Sequence, residues 1–139
     1  MALSLQHFLS VIGDAVVIAD ANGIITTWNC AAEAMFGYAQ SEALGASLDI
    51  IIPEKYRMRH AAGFEQTMNT GKNRYGTSLL HVPAMKRDGS SISIAFSIAL
   101  VLGEAGKPES IIAIIRDETQ RFQEERALRK RLAELGNGE

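Results

Sequence analysis

The side chains of this sequence best suited to ligating a metal or a cofactor are its three histidines, His7, His60 and His81. Their separations match no metal-ligand motif, so we predict no site built from several histidines. His60 belongs to a segment in which large residues recur every four positions, as Tyr56, Phe64 and Met68 do. That spacing puts them on one face of a helix, so His60 is predicted to face the interior. A neutral imidazole there can ligate iron or serve as an ordinary core residue.

The cysteine and the arginines offer fewer possibilities for binding a metal or a ligand. Cys30 is the only cysteine, which excludes an internal disulfide and a multi-cysteine zinc site. Arg57, Arg59 and Arg74 could hold a carboxylate, although solvated surface charge is the simpler interpretation. The sequence contains no Gly-rich phosphate loop and no nucleophile elbow, and its carboxylates suggest only surface pairs. We therefore predict that this chain is not an enzyme.

Length and composition bound the class of protein. The chain has 139 residues, of which 47% are hydrophobic, and this is enough for one domain with a core. A formal net charge of -2 gives no electrostatic case for binding nucleic acid or an anionic membrane. The first residues lack the pattern of a signal peptide, and no apolar run is long enough to span a bilayer. We expect a cytoplasmic domain.

The first half of the chain is organised around residues 28–38, where a predicted strand runs into a short helix. Asn29 is a good N-cap, and Gly37 can adopt the left-handed conformation that ends a helix. An Asn-Gly pair within residues 20–23 predicts a hairpin turn just before this segment. The elements predicted here are a helix at Leu3–Ile12 and strands at Val16–Ala19 and Ile24–Trp28.

The second half combines one long helix with three strands. The helix is predicted from Pro53 to about residue 69. The strand at 77–85 contains Pro83, which cannot donate to a ladder, so it should be an edge strand. In the strand at 92–102, even-numbered residues form an apolar face and odd-numbered residues form a flat face of small side chains. Residues 111–115 are apolar on both faces, which is typical of a central strand that the N-terminal helix or a partner covers.

The flat strand face and the C-terminal segment both point to a homodimer. Ala95 and Ala99 lie on the face that a second subunit could cover. From residue 119 the sequence is rich in Glu, Arg and Gln, and its leucines follow a 4-3 spacing at Leu128, Leu132 and Leu135. This spacing favours the start of a two-stranded coiled coil over a solvated surface helix.

Together these segments resemble the PAS domain, a sensory module of bacterial signalling proteins. The resemblance rests on Trp28-Asn29-x-x-Ala32-Glu33-x-x-Phe36-Gly37-Tyr38, Glu42-x-x-Gly45, Ile52-Pro53, Lys86-Arg87-Asp88-Gly89 and Arg116-Asp117-Glu118-Thr119. It implies an α+β PAS fold, a five-stranded antiparallel sheet in the order 2-1-5-4-3 with helices enclosing a pocket on one face. It also implies an N-terminal cap helix (1–12), a sensory domain (13–118) and a signalling coil (119–139), with Asp117 and Thr119 at the last junction.

The resemblance leaves the ligand open, because one fold serves many ligands. Residues 52–60 are similar to haem-binding oxygen sensors, whose axial histidine follows later, yet residues 65–75 contain no histidine. Haem b would therefore need His60 or His81 as an unusual ligand, whereas FAD could contact the aromatic residues and Asn29. The pocket could instead hold a small apolar or carboxylated metabolite, or no ligand at all. The predicted pocket residues are Trp28, Asn29, Phe36, His60, Phe64, Met68, Leu80 and Phe96.

Residues 47–55 lack the cysteine that light-sensing PAS domains use to attack flavin, so we exclude a light sensor. Two main hypotheses remain, and a haem-based gas sensor is a third. In the first, a ligand-gated sensor acts through its C-terminal helix on an output domain of the same chain, such as a histidine kinase or a cyclic-dinucleotide enzyme. In the second, the pocket is filled by its own side chains and the domain is a constitutive dimerisation module. The first predicts ligand-dependent stability, and the second predicts concentration-dependent stability.

Overall fold

The structure is a computed structural model that describes residues 4–72 and 79–137. Its strands form one antiparallel sheet in the order β2-β1-β5-β4-β3, which confirms the predicted α+β class and topology. The strands are β1 (Ala15–Asp20), β2 (Ile25–Trp28), β3 (Leu80–Met85), β4 (Ser91–Leu102) and β5 (Pro108–Asp117). The α-helices are α1 (Leu5–Val11), α2 (Cys30–Phe36), α3 (Gln40–Ala43), α4 (Arg57–Thr70) and α5 (Thr119–Asn137). Short 3₁₀ helices span Leu48–Ile51, Glu54–Tyr56 and Glu104–Gly106.

The two turns that the sequence predicts are formed by glycines at positive φ and by Asx hydrogen bonds. In the β1–β2 turn Gly23 has a φ of 80°, and Asp20 Oδ1 accepts from the backbone N–H groups of Asn22 and Ile24. In the β3–β4 turn Gly89 has a φ of 86°, and Asp88 Oδ1 accepts from Ser90 N. A side chain at either glycine would strain the turn, so both positions favour glycine.

β5 is the central strand, as its two apolar faces predict. It pairs with β1 on one side and with β4 on the other. The register places Val17, Ala113 and Ile98 in one row across the three strands. Side chains of such a row stand on the same face of the sheet, so the small Ala113 lies between two larger apolar residues.

β3 is an edge strand, as predicted from Pro83. Pro83 lies opposite Ser93 of β4. Ser93 uses its own backbone groups on the opposite side, where its N–H donates to Thr119 Oγ1 and its carbonyl accepts from Glu118 N. The Pro83–Ser93 pair is therefore not hydrogen-bonded, and the missing N–H of Pro83 falls on the outer edge, where it costs no ladder bond. β3 begins at Leu80, and the first predicted residues, 77 and 78, lie outside the described part of the chain.

The helices agree with the predictions in position but differ in detail. The long helix begins with a 3₁₀ turn at Glu54–Tyr56, and regular α-helix starts only at Arg57. α1 has no buried residue, and it lies against α2. Its apolar side chains Leu5 and Val11 are 73% and 62% exposed. The prediction that α1 docks its apolar face on the sheet is therefore not met for these side chains.

The core lies between the sheet and α2. Trp28 and Phe36 are fully buried, and their ring centroids are 5.5 Å apart. Trp28 Nε1 donates a hydrogen bond of 3.0 Å to the carbonyl oxygen of Tyr38, which gives the buried indole a partner. None of the described helices is both long and apolar enough to cross a bilayer.

Candidate functional site

An apolar cavity of about 120 Å³ lies between the sheet and the segment that leads into α4. Its floor is the inner face of the sheet, including Val17, Ile94 and Ala113, and its roof includes Leu48 and Ile51 of the first 3₁₀ helix. The volume is close to the roughly 150 Å³ of an engineered protein cavity that binds benzene. The cavity is therefore large enough for a small apolar molecule.

The cavity exists because small residues occupy positions where larger ones would fill the space. Ala19, Ala84 and Ala113 all line it, each on a different strand. They become neighbours of one space only through strand pairing, since they are far apart in sequence. Alternation along each strand marks these positions only as core, and the sizes of residues on different strands can be compared only once the strand pairing is known.

His60 is the imidazole of this cavity, and it lies at the cavity wall as the four-residue spacing predicts. Its ring stacks on Phe64 with a centroid distance of 6.0 Å and an interplanar angle of 28°. Burial lowers the pKa of His60 from its ordinary value, and the nearby Asp49 carboxylate opposes that change. The lowered pKa favours the neutral form of the imidazole.

A second, polar space of about 450 Å³ lies beside the cavity. It is bounded by the β1–β2 turn, the 3₁₀ helix Leu48–Ile51 and one face of α4. Leu48, His60 and Phe64 line both spaces, so these three residues form the boundary between them. The polar space, which we call the cleft, also contains Asp49 and Glu65.

The predicted pocket residues fall into three places. His60, Phe64 and Phe96 line the cavity, and Met68 lines the cleft. Trp28, Asn29 and Phe36 are buried in the core and are not among the residues that line either space. Leu80 is half-buried on β3 and also lies outside the two linings.

Asn29 connects three elements instead of facing the cavity. Its side chain is 6% exposed, and Oδ1 accepts from Val16 N at 2.8 Å and from Ala32 N at 3.1 Å. Its Nδ2 donates to the carbonyl oxygens of Leu9, at 3.0 Å, and Asp14, at 3.1 Å. One buried amide thus caps α2 and joins α1 to β1 with all its hydrogen-bonding groups satisfied.

The other candidate residues on the sheet lie away from the cavity. His81 is exposed on β3 and is paired in register with Ala95 of β4, which is paired in turn with Arg116 of β5. Ala95 is only 1% exposed, because longer side chains flank it on both neighbouring strands. Ala99, four residues further along β4 and on the same face, is exposed.

The junction at Asp117 and Thr119 fastens the start of α5 to the sheet. Asp117 Oδ1 accepts from Thr119 N at 2.9 Å, which is an N-terminal capping bond for the helix. Thr119 Oγ1 accepts from Ser93 N at 3.0 Å. Beyond this junction Leu128, Leu132 and Leu135 are 58–70% exposed.

The cavity is small for a macrocyclic or flavin cofactor. Pockets for cofactors and drug-sized ligands measure about 300–1,000 Å³, whereas this one measures about 120 Å³. His60 could supply one nitrogen ligand, but the surrounding apolar side chains fill the space that a porphyrin or an isoalloxazine would need. The cavity by itself is therefore smaller than the usual pocket for haem or FAD. No group of three metal-ligating side chains occurs among the described residues.

Comparisons with known proteins place the chain in a family. The model of the PAS fold matches residues 3–117. The chain is 29% identical over 131 residues to the sensor protein FixL of Bradyrhizobium diazoefficiens, covering 94% of this chain and 26% of FixL. It is 31% identical over 101 residues to the oxygen sensor protein DosP of Escherichia coli, covering 73% of this chain and 12% of DosP.

A solved structure gives the same result for the fold. The PAS domain of a protein from Colwellia psychrerythraea superimposes with a TM-score of 0.69 at 20% identity, covering 81% of this chain and 92% of that one. The chain spans about a quarter or less of the length of the two curated relatives. The family match covers most of the chain, and the sheet order agrees with it, so this chain belongs to the PAS family.

Proposed function

We propose that this chain is a sensory domain that binds a small, mainly apolar ligand in its cavity and transmits the bound state to a downstream output domain through α5. The observation that supports this best is the apolar cavity, which is bounded by strands of the sheet that also holds α5. The PAS family and the sensor proteins among the relatives support the general role.

A short path leads from the cavity to α5. Ile94 lines the cavity, and its neighbour along β4, Ser93, holds the start of α5 through Thr119 and Glu118. A ligand that presses on β4 shifts the residues to which α5 is fastened. Such a signal requires that the ligand bind one arrangement of β4 and α5 better than the other.

We also propose that the domain works as a homodimer. The exposed leucines of α5 and the exposed part of the flat strand face at Ala99 support this arrangement. Exposed apolar residues at 4-3 spacing are the pattern of a coiled-coil seam. A dimeric coil would carry a change at Thr119 to an output domain in the same chain.

The first test is thermal unfolding of the purified domain with and without benzene. Benzene is a suitable probe because its size matches the cavity. A ligand at 100 times its Kd stabilises the native state by about 2.7 kcal/mol, so the melting temperature should rise. Ala113→Leu adds a side chain at the cavity floor and should abolish that rise, while the exposed control Ala34→Leu on α2 should retain it.

Transmission is tested separately by hydrogen exchange. Benzene should change the exchange rates of the amides of Ser93, Glu118 and Thr119 in the wild-type protein but not in Ala113→Leu. If benzene raises the melting temperature and leaves these amides unchanged, the domain binds without coupling to α5. If no small apolar molecule stabilises the protein, the ligand-free dimerisation module is the better description.

Haem is the second candidate. His60 lines the cavity, and one relative is named an oxygen sensor. The cavity volume of about 120 Å³ is small for a porphyrin, however, and this argues against haem. An absorption spectrum from 300 to 700 nm after addition of hemin decides the matter. A Soret band that is lost in His60→Ala but kept in His81→Ala would establish a haem site, and flavin bands in the isolated protein would indicate FAD instead.

A further inference from the structure

The boundary between the apolar cavity and the polar cleft is made of side chains. Leu48, His60 and Phe64 line both spaces, so their side chains stand between the cavity and the cleft. Two of these residues, His60 and Phe64, stack their rings at a centroid distance of 6.0 Å. Leu48, His60 and Phe64 are only partly buried, so a change of rotamer at these positions would let a ligand extend from one space into the other.

The cleft is lined by negatively charged side chains. Among the described residues, its lining contains two carboxylates, Asp49 and Glu65, and neither lysine nor arginine. In the described parts of the chain neither carboxylate forms an ion pair, because the three salt bridges found there lie elsewhere. Asp49 is half-buried, so its charge is screened less than that of an ordinary surface carboxylate.

The other polar groups of the cleft are hydrogen-bond acceptors, which would suit a ligand with a positively charged donor group. Asn22, Ser47 and Asn69 line it, and each side chain carries an oxygen that can accept a hydrogen bond. His60 favours its neutral form, since burial lowers its pKa. An ammonium group would therefore find acceptors and negative charge there, and the described part of the lining supplies no lysine or arginine to compete with it.

The described arginines that the sequence suggested for a carboxylate do not reach this site. Arg57 directs its Nε to the carbonyl oxygen of Ile52, where it donates a hydrogen bond of 3.0 Å. Arg57 and Arg59 line neither the cavity nor the cleft. Arg74 lies outside the described residues. A carboxylated ligand would place its charge next to Asp49 and Glu65, where repulsion opposes it.

We propose that the cavity and the cleft form one bipartite site for a small aliphatic or aromatic amine, with its apolar body in the cavity and its ammonium group in the cleft beside Asp49 and Glu65. This rests on the proposed ligand-sensing function and names the class of ligand. Each half supplies what the other lacks, since the cavity wall is apolar apart from His60 and the cleft is polar.

The test uses three compounds that share one branched alkyl body and differ only in the head group. They are isoamylamine, isoamyl alcohol and 4-methylpentanoate, and their affinities are measured by titration calorimetry at pH 7. Isoamylamine should bind roughly three- to tenfold more tightly than the alcohol, as expected for partly screened ion pairs. 4-methylpentanoate should bind more weakly than both, and the advantage of the amine should shrink in 1 M salt.

Variants then locate the head group and the body. Asp49→Asn with Glu65→Gln should reduce binding of the amine to the level of the alcohol and leave the alcohol unchanged. Glu124→Gln, a carboxylate change on the exposed face of α5, is the matched control and should have no effect. Ala113→Leu should weaken binding of all three compounds, because it fills the space for their common body.

The outcomes separate this inference from the function on which it rests. If the alcohol and benzene bind but the amine gains nothing, or if the two carboxylate changes leave the amine unaffected, the inference is wrong and the sensory function stands. If the amine binds equally well to Ala113→Leu, the cleft alone holds it and the bipartite site is wrong. If neither benzene nor the alcohol stabilises the wild-type protein, the proposed function itself is overturned.

Discussion

Arg116 and Asp14 form a two-point ion pair between residues 102 positions apart in the sequence. Arg116 Nε lies 3.3 Å from Asp14 Oδ1, and Nη2 lies 3.2 Å from Oδ2. The carboxylate raises the pKa of Arg116 through this hydrogen bond and through its charge. Asp14 also accepts a hydrogen bond from Asn29 through its carbonyl oxygen. The pair thus links the segment after α1 to the strand that ends one residue before Glu118.

We expect Asp14→Asn to have a small effect on stability that depends on salt. The change removes the charge and leaves the backbone carbonyl of residue 14 bonded to Asn29, so only the ion pair is lost. Exposed pairs contribute little and are screened by salt. Urea unfolding at 0.02 M and 1 M NaCl should show a difference between wild type and variant at low salt only. A large loss of stability at both salt concentrations would contradict this view.

Substitution of Asn29 should lower stability far more than is usual for the N-cap residue of a short helix. Asn29→Asp keeps an acceptor for Val16 and Ala32 but loses the donors to Leu9 and Asp14, and it buries a charge beside two carbonyl oxygens. We expect a loss of about 2–4 kcal/mol in the free energy of unfolding at pH 7. The control is Ser4→Ala, which removes the N-cap of the exposed α1 and should cost about 1 kcal/mol or less.

The new carboxyl of Asn29→Asp would have its pKa raised in the folded protein, because burial and the two carbonyl oxygens oppose its ionisation. The folded state then holds a proton that the unfolded state has released, so stability falls as pH rises through the unfolded pKa near 4. Urea unfolding should therefore show a smaller loss at pH 4 than at pH 7. An equal loss at both values would mean that the charge is not buried as described.

His60 should make stability depend on pH below neutrality. Its pKa is lowered in the folded state by burial, so the unfolded state binds more protons in the window below the ordinary value of about 6.5. Stability is therefore full above that value and is lost as pH falls toward the lowered pKa. Urea unfolding between pH 7.5 and 5 should show this loss in wild type and a weaker loss in His60→Gln. The exposed His81→Gln is the matched control and should retain the wild-type profile.

The oligomeric state should depend on α5. Replacing Leu128 and Leu132 with Ser should shift the protein toward a monomer in sedimentation experiments, because the proposed seam loses two apolar positions. Both side chains are more than half exposed in the single chain, so its own fold should be unaffected. An unchanged oligomer would make α5 an ordinary surface helix.

Of the two alanines on the flat strand face, only Ala99 is suited to a substitution that tests the dimer. Ala95 and Ala99 occupy equivalent positions in the alternation, but Ala95 is buried and Ala99 is exposed. Glutamate at 95 would unfold the protein by burying a charge. Ala99→Glu should therefore be used, and it should weaken the dimer without lowering the stability of the monomer. A dimer that is unchanged by Ala99→Glu would exclude this face as an interface.

The sheet and its turns could be predicted because their signals are local. Alternation along β4, the glycines of the two turns and the proline of β3 each act through neighbours in sequence. The site could be predicted only in part. His60 and Phe64 followed from helix spacing, but the contribution of Ala113 depends on its register with Val17 and Ile98. Trp28 and Phe36 have the size and polarity of pocket residues, and tertiary packing uses them as core.

Each edge of the sheet carries a feature that hinders pairing with an additional strand. On the β2 edge, the N–H of Ile25 already donates to the carbonyl of Ala46, and its carbonyl accepts from Gly45 N. On the β3 edge, Pro83 presents a ring where an incoming strand would need a donor. Edge-to-edge pairing of two copies of this domain is therefore disfavoured at these positions. The helices and the faces of the sheet are then the surfaces more available for association with another copy or another domain.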